Sequence, residues 1–266
     1  MHPLITVDEL ASRLESIHIC DIRWDLTDPD RGRATYEEGH IPGAVFVDLD
    51  RDLSAPPGNA GRQPLPDPAD FAATLGRLGV RPASHVVAYD DVAGRIAARM
   101  WWMLRSIGHD EVQVLDGGYP AWIDAGLDVE DGAVFPAPTD YPAPDGFTGT
   151  VSHDQLQGRT VVDARAAERY RGDFEPVDPE AGHIPGAINV PTSVNVDEDE
   201  RFHDATTLAG IYDGLESPVM TCGSGVTACH DALAMVVAGR EMPDVYVGSF
   251  SEWSRLGFPV TSGPKP

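Results

Sequence analysis

The sequence is short of the features that would place it elsewhere. It has 3 cysteines in 266 residues, Cys20, Cys222 and Cys229. That is too few for a disulfide framework and fits a reducing cytoplasm. No CxxC pair or Cys/His spacing suggests a metal, and no cofactor is expected. One lysine, Lys265, is the only one in the chain, and 43 acids face 19 bases for a net charge of −24. Such a surface repels nucleic acid and anionic membranes. No apolar run reaches the ~18 residues of a membrane span. The opening MHPLITVDELASRLES has early acids and no apolar stretch, so it does not read as a secretory signal. An anionic substrate would therefore need a local cluster of arginines to draw it in.

What the chain does have is an internal repeat. Thr6–Glu9 and Ser152–Gln155 each read as a capping box. HICDIR and TVVDAR each end in Asp then Arg, with Asp21 and Asp163 142 residues apart. GHIPGA occurs twice, and His40 and His183 lie 143 apart. Asp90 and Cys222, each closing an apolar run, lie 132 apart, and Trp122 and Trp253 lie 131 apart. The drop of about ten marks an insertion in the first half, where RDLSAPPGNAGRQPLPDP reads as loop. Five features in one order indicate a tandem duplication. The expected division is a first domain over 1–130, a proline-rich linker over 131–148 and a second domain over 149–266. Within each half, short apolar runs alternate with helical patterns, one of them around 93–107. That alternation predicts α/β domains, each a parallel sheet flanked by helices.

Ligands of such sheets bind beyond the carboxyl ends of the strands. Cys222 stands there, in PVMTCGSGVTACHDALAMVVAGR, between an apolar strand and a helix. Gly223 and Gly225 let the loop curl so that backbone N–H groups converge. Those groups and the helix N-terminus favour thiolate over thiol, which makes Cys222 a candidate nucleophile. Ser224, Val226 and Thr227 complete the cradle. A cysteine phosphatase needs an arginine six residues further on, but position 228 is alanine. Cys20, Cys229 and the two tryptophans read as packing residues, and the two GHIPGA histidines as turn residues entering a strand.

The paired GHIPGA motifs, VVDARAAERY and CGSGVTA together resemble the two-domain rhodanese-type sulfurtransferases over essentially the whole chain. The resemblance implies an inactive first domain and a catalytic second one, and Asp90 stands in the place of Cys222. It implies that Cys222 takes a sulfane sulfur from a small anionic donor as a persulfide. A thiophilic acceptor such as cyanide, a thiol or thioredoxin then removes it. Thiosulfate-type relatives carry cations straight after the cysteine, whereas Gly223 and Ser224 look like the 3-mercaptopyruvate pattern. Thiosulfate as the main donor and a sulfur relay without turnover remain the alternatives. The resemblance further implies Arg165 and Arg169 as substrate arginines. Ser224 would hydrogen-bond the substrate or relay a proton. His40 would pair with that serine, accompanied by Asp28 or Asp30.

Overall fold

The structure is a computed structural model that describes residues 1–265. It contains two five-stranded sheets, and every strand pair in them is parallel. The first holds β1 (Leu4–Ile5), β2 (His18–Asp21), β3 (Val45–Phe46), β4 (Val86–Tyr89) and β5 (Val112–Leu115). The second holds β6 (Thr150–Val151), β7 (Val161–Asp163), β8 (Ile188–Asn189), β9 (Val219–Thr221) and β10 (Asp244–Tyr246). The orders are β1-β5-β4-β2-β3 and β6-β10-β9-β7-β8, the same permutation twice. The α/β architecture and the duplication expected from the sequence are both present.

The central strands are near-continuously apolar because both faces are covered. VVAY of β4 is buried at every position, as is VMT of β9. The helix Ala97–Ser106 packs on the first sheet with Trp101 and Trp102 buried. It starts four residues later than the pattern around 93–107 suggested, because Asp90–Ile96 forms a loop around the Asp90 carboxylate. The capping box at Thr6 opens the helix Val7–Ala11, whereas the one at Ser152 opens only a single 3-10 turn, His153–Gln155. Register brings the site together: Asp163 pairs with Thr221, so the turn after β7 lies beside the residue that precedes Cys222.

The chain forms two compact units, and their borders differ from the expected domains. The first comprises residues 1–54, 66–148 and 198–202; the second comprises 55–65, 149–197 and 203–266. The proline-rich stretch is not a free linker. It lies against the first unit, where Thr139 N–H donates to Gly76 O at 2.9 Å and Thr148 N–H to Ser106 O at 2.9 Å. The Phe147 ring packs tilted against Phe71 with centroids 5.6 Å apart. Residues 55–65 belong to the second unit and 198–202 to the first, so each unit includes a short segment from the other half of the sequence. No helix among the described residues is long and apolar enough to cross a membrane.

Candidate active site

β9 ends at Thr221, the loop Cys222–Thr227 turns, and the helix Ala228–Val237 begins. The turn depends on Gly225. Its φ is +80°, and a Cβ there would overlap the carbonyl oxygen of Val247. In this conformation Gly225 N–H points at Cys222 Sγ, 3.1 Å away. The loop carbonyls are drawn off by the helix Ser249–Arg255: Phe250 N–H donates to Cys222 O at 3.0 Å and Ser251 N–H to Gly223 O at 2.9 Å. With those carbonyls taken up outside, the Gly225 N–H is left to face the sulfur. Ser249 holds the base of the loop. Its Oγ accepts from Cys222 N–H at 3.1 Å and donates to Tyr246 O at 2.8 Å. It does so at φ +53°, a left-handed conformation that costs a non-glycine residue on the order of 1–3 kcal/mol.

Cys222 is 1% exposed, so this is a recessed thiol and not the open loop that the glycines suggested. Gly223, Ser224 and Val226 are buried with it, and Thr227 is half-buried. Thr227 occupies the N-cap position of the following helix without a side-chain capping bond. Cys229 is buried and donates its S–H to Gly225 O at 3.3 Å, a packing role. Cys20 is likewise buried; burial first, then the neighbouring Asp21 and Asp52 charges, pushes its thiol far up, so it stays protonated and inert.

The two expected arginines part company. Arg165 is enclosed. Its Nε donates to both oxygens of Asp163 at 3.1 Å, and its Nη2 to Asp163 Oδ2 at 2.6 Å and Gly182 O at 2.7 Å. Its guanidinium lies 3.9 Å over the Phe250 ring. Arg23 repeats this in the first unit, with Asp21 Oδ2 and Gly39 O both at 2.7 Å from its Nη2 and the Tyr119 ring at 4.2 Å. An arrangement kept in the unit where Asp90 stands in place of the loop cysteine is scaffold. Arg165 thus shares the enclosing contacts of Arg23 and adds Glu175 Oε2, 3.4 Å from its Nη1.

Arg169 faces the loop. It lies within 3.6 Å of where a Cβ on Gly223 would be, and its other contacts are carboxylates. Nη2 meets Glu175 Oε1 at 2.7 Å and Asp178 Oδ2 at 3.2 Å. Burial pushes the Glu175 carboxyl up, but hydrogen bonds from Arg169 and from the Asp178 and Val177 amides outweigh it and hold the group below the usual range. Asp178 goes the other way: burial leads, Glu175 adds repulsion, and the arginines only partly offset them. Glu175, Asp178 and Ser249 were not singled out in the sequence. The signal available was EPVD, two acids within ten residues of Arg169.

His40 is also scaffold. It is wholly buried, donates its Nδ1–H to Tyr36 O at 2.9 Å, and stacks on the Tyr36 ring at 4.1 Å. His183 repeats this with Tyr170 O at 2.8 Å and a ring distance of 3.8 Å. The tyrosine hydroxyls match too, donating to Ala44 O and Ala187 O. Both GHIPGA histidines thus lock a turn. Asp28 and Asp30 are exposed, and the Asp28 carboxylate accepts from Asp30 N–H at 3.2 Å.

A family model of the rhodanese-like domain matches the chain twice, over residues 6–125 and 150–256. A probable 3-mercaptopyruvate sulfurtransferase from Pseudomonas aeruginosa is 43% identical over 267 residues, spanning 94% of each chain. A putative thiosulfate sulfurtransferase from Mycobacterium tuberculosis is 42% identical over 268 residues, spanning 94% of this chain and 93% of that one. Among solved structures, a 3-mercaptopyruvate sulfurtransferase from Leishmania major matches with a TM-score of 0.86 at 32% identity, over 95% of this chain and 74% of that one.

Proposed function

The chain belongs to the rhodanese-like family as a tandem of two such domains, and from that premise we propose how its second domain works as a sulfurtransferase. The donor is 3-mercaptopyruvate, with thiosulfate as a second donor; both names occur among relatives more than 40% identical. Cys222 is the nucleophile. Its thiolate attacks the donor sulfur, an S–S bond forms, and the bond from that sulfur to the donor breaks. With mercaptopyruvate the electron pair leaves on carbon, which takes the thiol proton and departs as pyruvate. With thiosulfate the pair leaves as sulfite. The persulfide then passes its outer sulfur to cyanide, giving thiocyanate, or to a thiol, and the Cys222 thiolate returns. This is covalent catalysis in two half-reactions.

The observation that carries this reading is the placement of Sγ under the Gly225 amide at the mouth of a helix. Arg169 supplies a cation for the donor's carboxylate or sulfonate, which suits the forked geometry of a guanidinium. Ser224 supplies a hydroxyl at the same rim. Thioredoxin, a reduced dithiol, suits the acceptor step, and a reducing cytoplasm suits a thiol that must stay unpaired.

The test is steady-state thiocyanate formation with each donor in turn. Turnover with mercaptopyruvate above that with thiosulfate is expected. A single round of persulfide formation without turnover on either donor would replace the enzyme with a sulfur-relay protein.

A further inference from the structure

Residues 55–65 lie within the stretch 51–68 that reads as loop in the sequence. In the structure they form a closed turn seated on the second unit. Gly58 and Gly61 exchange both backbone hydrogen bonds, at 3.0 and 3.1 Å, and Ala55 N–H donates to Pro64 O at 2.9 Å. Arg255 Nη1 donates to Gly58 O at 3.0 Å, and Arg62 N–H to Ser251 Oγ at 3.0 Å. Gly61 sits at φ +106°, with the Gly248 carbonyl 2.8 Å from where a Cβ would stand, so the close approach requires glycine. Ser251 also anchors the Cys222 loop through its own N–H on Gly223 O. One serine thus ties the turn and the loop together.

This docking delivers one side chain, Arg62. Its Nη2 lies 2.7 Å from where a Cβ on Gly223 would be, so it fills the space beside the residue that follows the nucleophile. Its Nη1 pairs with Asp178 Oδ1, while Asp178 Oδ2 accepts from Arg169 at 3.2 Å. Its Nε is buried without a hydrogen-bond acceptor. Two guanidiniums therefore converge on Gly223, held together by one shared carboxylate despite their mutual repulsion.

We propose that Arg62 is a second donor-binding guanidinium, which together with Arg169 grips the carboxylate or sulfonate of the sulfur donor over Gly223. This rests on the sulfurtransferase reading above. The physical need is plain: the chain carries a net charge of −24, and the residues straight after Cys222, Gly223 and Ser224, bring no cation. The space a loop cation would take is taken by Arg62, reaching in from a distant part of the sequence. Its buried Nε–H offers a donor with no acceptor among the described residues. Two cations on one shared carboxylate leave fork edges for a small anion whose oxygens lie next to the transferable sulfur. Arg62 takes no part in bond making; it binds the donor.

Ping-pong kinetics separate this role from a structural one. With 3-mercaptopyruvate and with thiosulfate, Arg62→Ala should lower the donor kcat/KM by roughly 10- to 100-fold, the worth of charge-assisted hydrogen bonds. The kcat/KM for an uncharged dithiol acceptor, which meets the persulfide already formed, should stay within about twofold. Arg62→Lys, which keeps the charge but loses the fork, should recover part of the donor term. If the alanine variant does not fold, Arg62→Met, of similar length, carries the same comparison. An unchanged donor term in the folded variant overturns the proposal. So does an equal fall in both half-reactions, which would make Arg62 a loop buttress. A wild-type protein that accepts sulfur from neither donor fails at an earlier step, and that result strikes the sulfurtransferase reading itself.

Discussion

The loops at Asp90 and Cys222 are built alike and filled differently. In the first, the Asp90 carboxylate takes four backbone amides: Val92 and Gly94 on Oδ1 at 2.9 and 2.8 Å, Ile96 and Ala97 on Oδ2 at 2.7 and 2.8 Å. In the second, Gly225 N–H meets a sulfur atom. The backbones correspond. Tyr119 N–H donates to Asp90 O at 2.8 Å as Phe250 N–H does to Cys222 O. Left-handed residues recur at Ala93 and Gly225 and at Gly118 and Ser249. The fold thus makes an anion cradle at this strand end whatever the chemistry. One unit fills it with a carboxyl group of its own; the other leaves a sulfur that can gain and lose an outer atom. The second difference lies beside the cradle. The residue before the stacked tyrosine is Arg169 in one unit and Thr35 in the other, where its hydroxyl is spent on Arg31 O. A cradle without its neighbouring cations is a wall.

The largest effect should come from the nucleophile. Cys222→Ser keeps the cradle and removes the sulfur, and thiocyanate formation should fall by about 10⁴-fold or more. Residual turnover within tenfold of wild type would mean the chemistry lies elsewhere. Next come the twin scaffold arginines. Arg165→Ala and Arg23→Ala each leave a buried aspartate unpaired, so each should lose roughly 3–5 kcal/mol in a urea melt. A stable Arg165→Ala protein with a raised donor KM would break the equivalence of the two and return Arg165 to the site. Arg169→Ala should reduce the donor kcat/KM by roughly 10- to 100-fold, whereas Thr35→Ala, at the matching place, should leave it unchanged. The smallest effect is at Ser249, where the other unit has Gly118. Ser249→Gly relieves the positive φ but gives up the Oγ bridge to Cys222 N–H, and the two should cancel to within about 1 kcal/mol. A thermal midpoint clearly below wild type would show that the bridge outweighs the strain.

The repeat was legible in the sequence because its carriers are local: an Asp–Arg pair ending a strand, a GHIPGA turn, a tryptophan in a short helix. Each repeats a hydrogen-bonded unit confined to a few tens of residues, so pattern and contact coincide. The cradle was legible for the same reason, since Gly225 sits three residues from the sulfur it serves. Arginine roles were not legible. Arg165 and Arg169 are four residues apart in one motif, and only geometry shows that Asp163 and Gly182 enclose the first while the second keeps a face on Gly223. Arg62 was hidden by distance: 160 residues separate it from Cys222, in a segment with neither strand nor helix period. Burial of the thiol was equally out of reach, because glycines mark backbone freedom and say nothing about what packs over it.

The central claim is that the sulfur in transit sits on Cys222 and on no other thiol. Mass analysis of the protein after brief exposure to 3-mercaptopyruvate, with no acceptor present, tests it directly. The Cys222 peptide should gain one sulfur atom and lose it on adding cyanide, while the Cys20 and Cys229 peptides stay unchanged. A sulfur gained on either of those cysteines, or none gained at Cys222, would contradict the account.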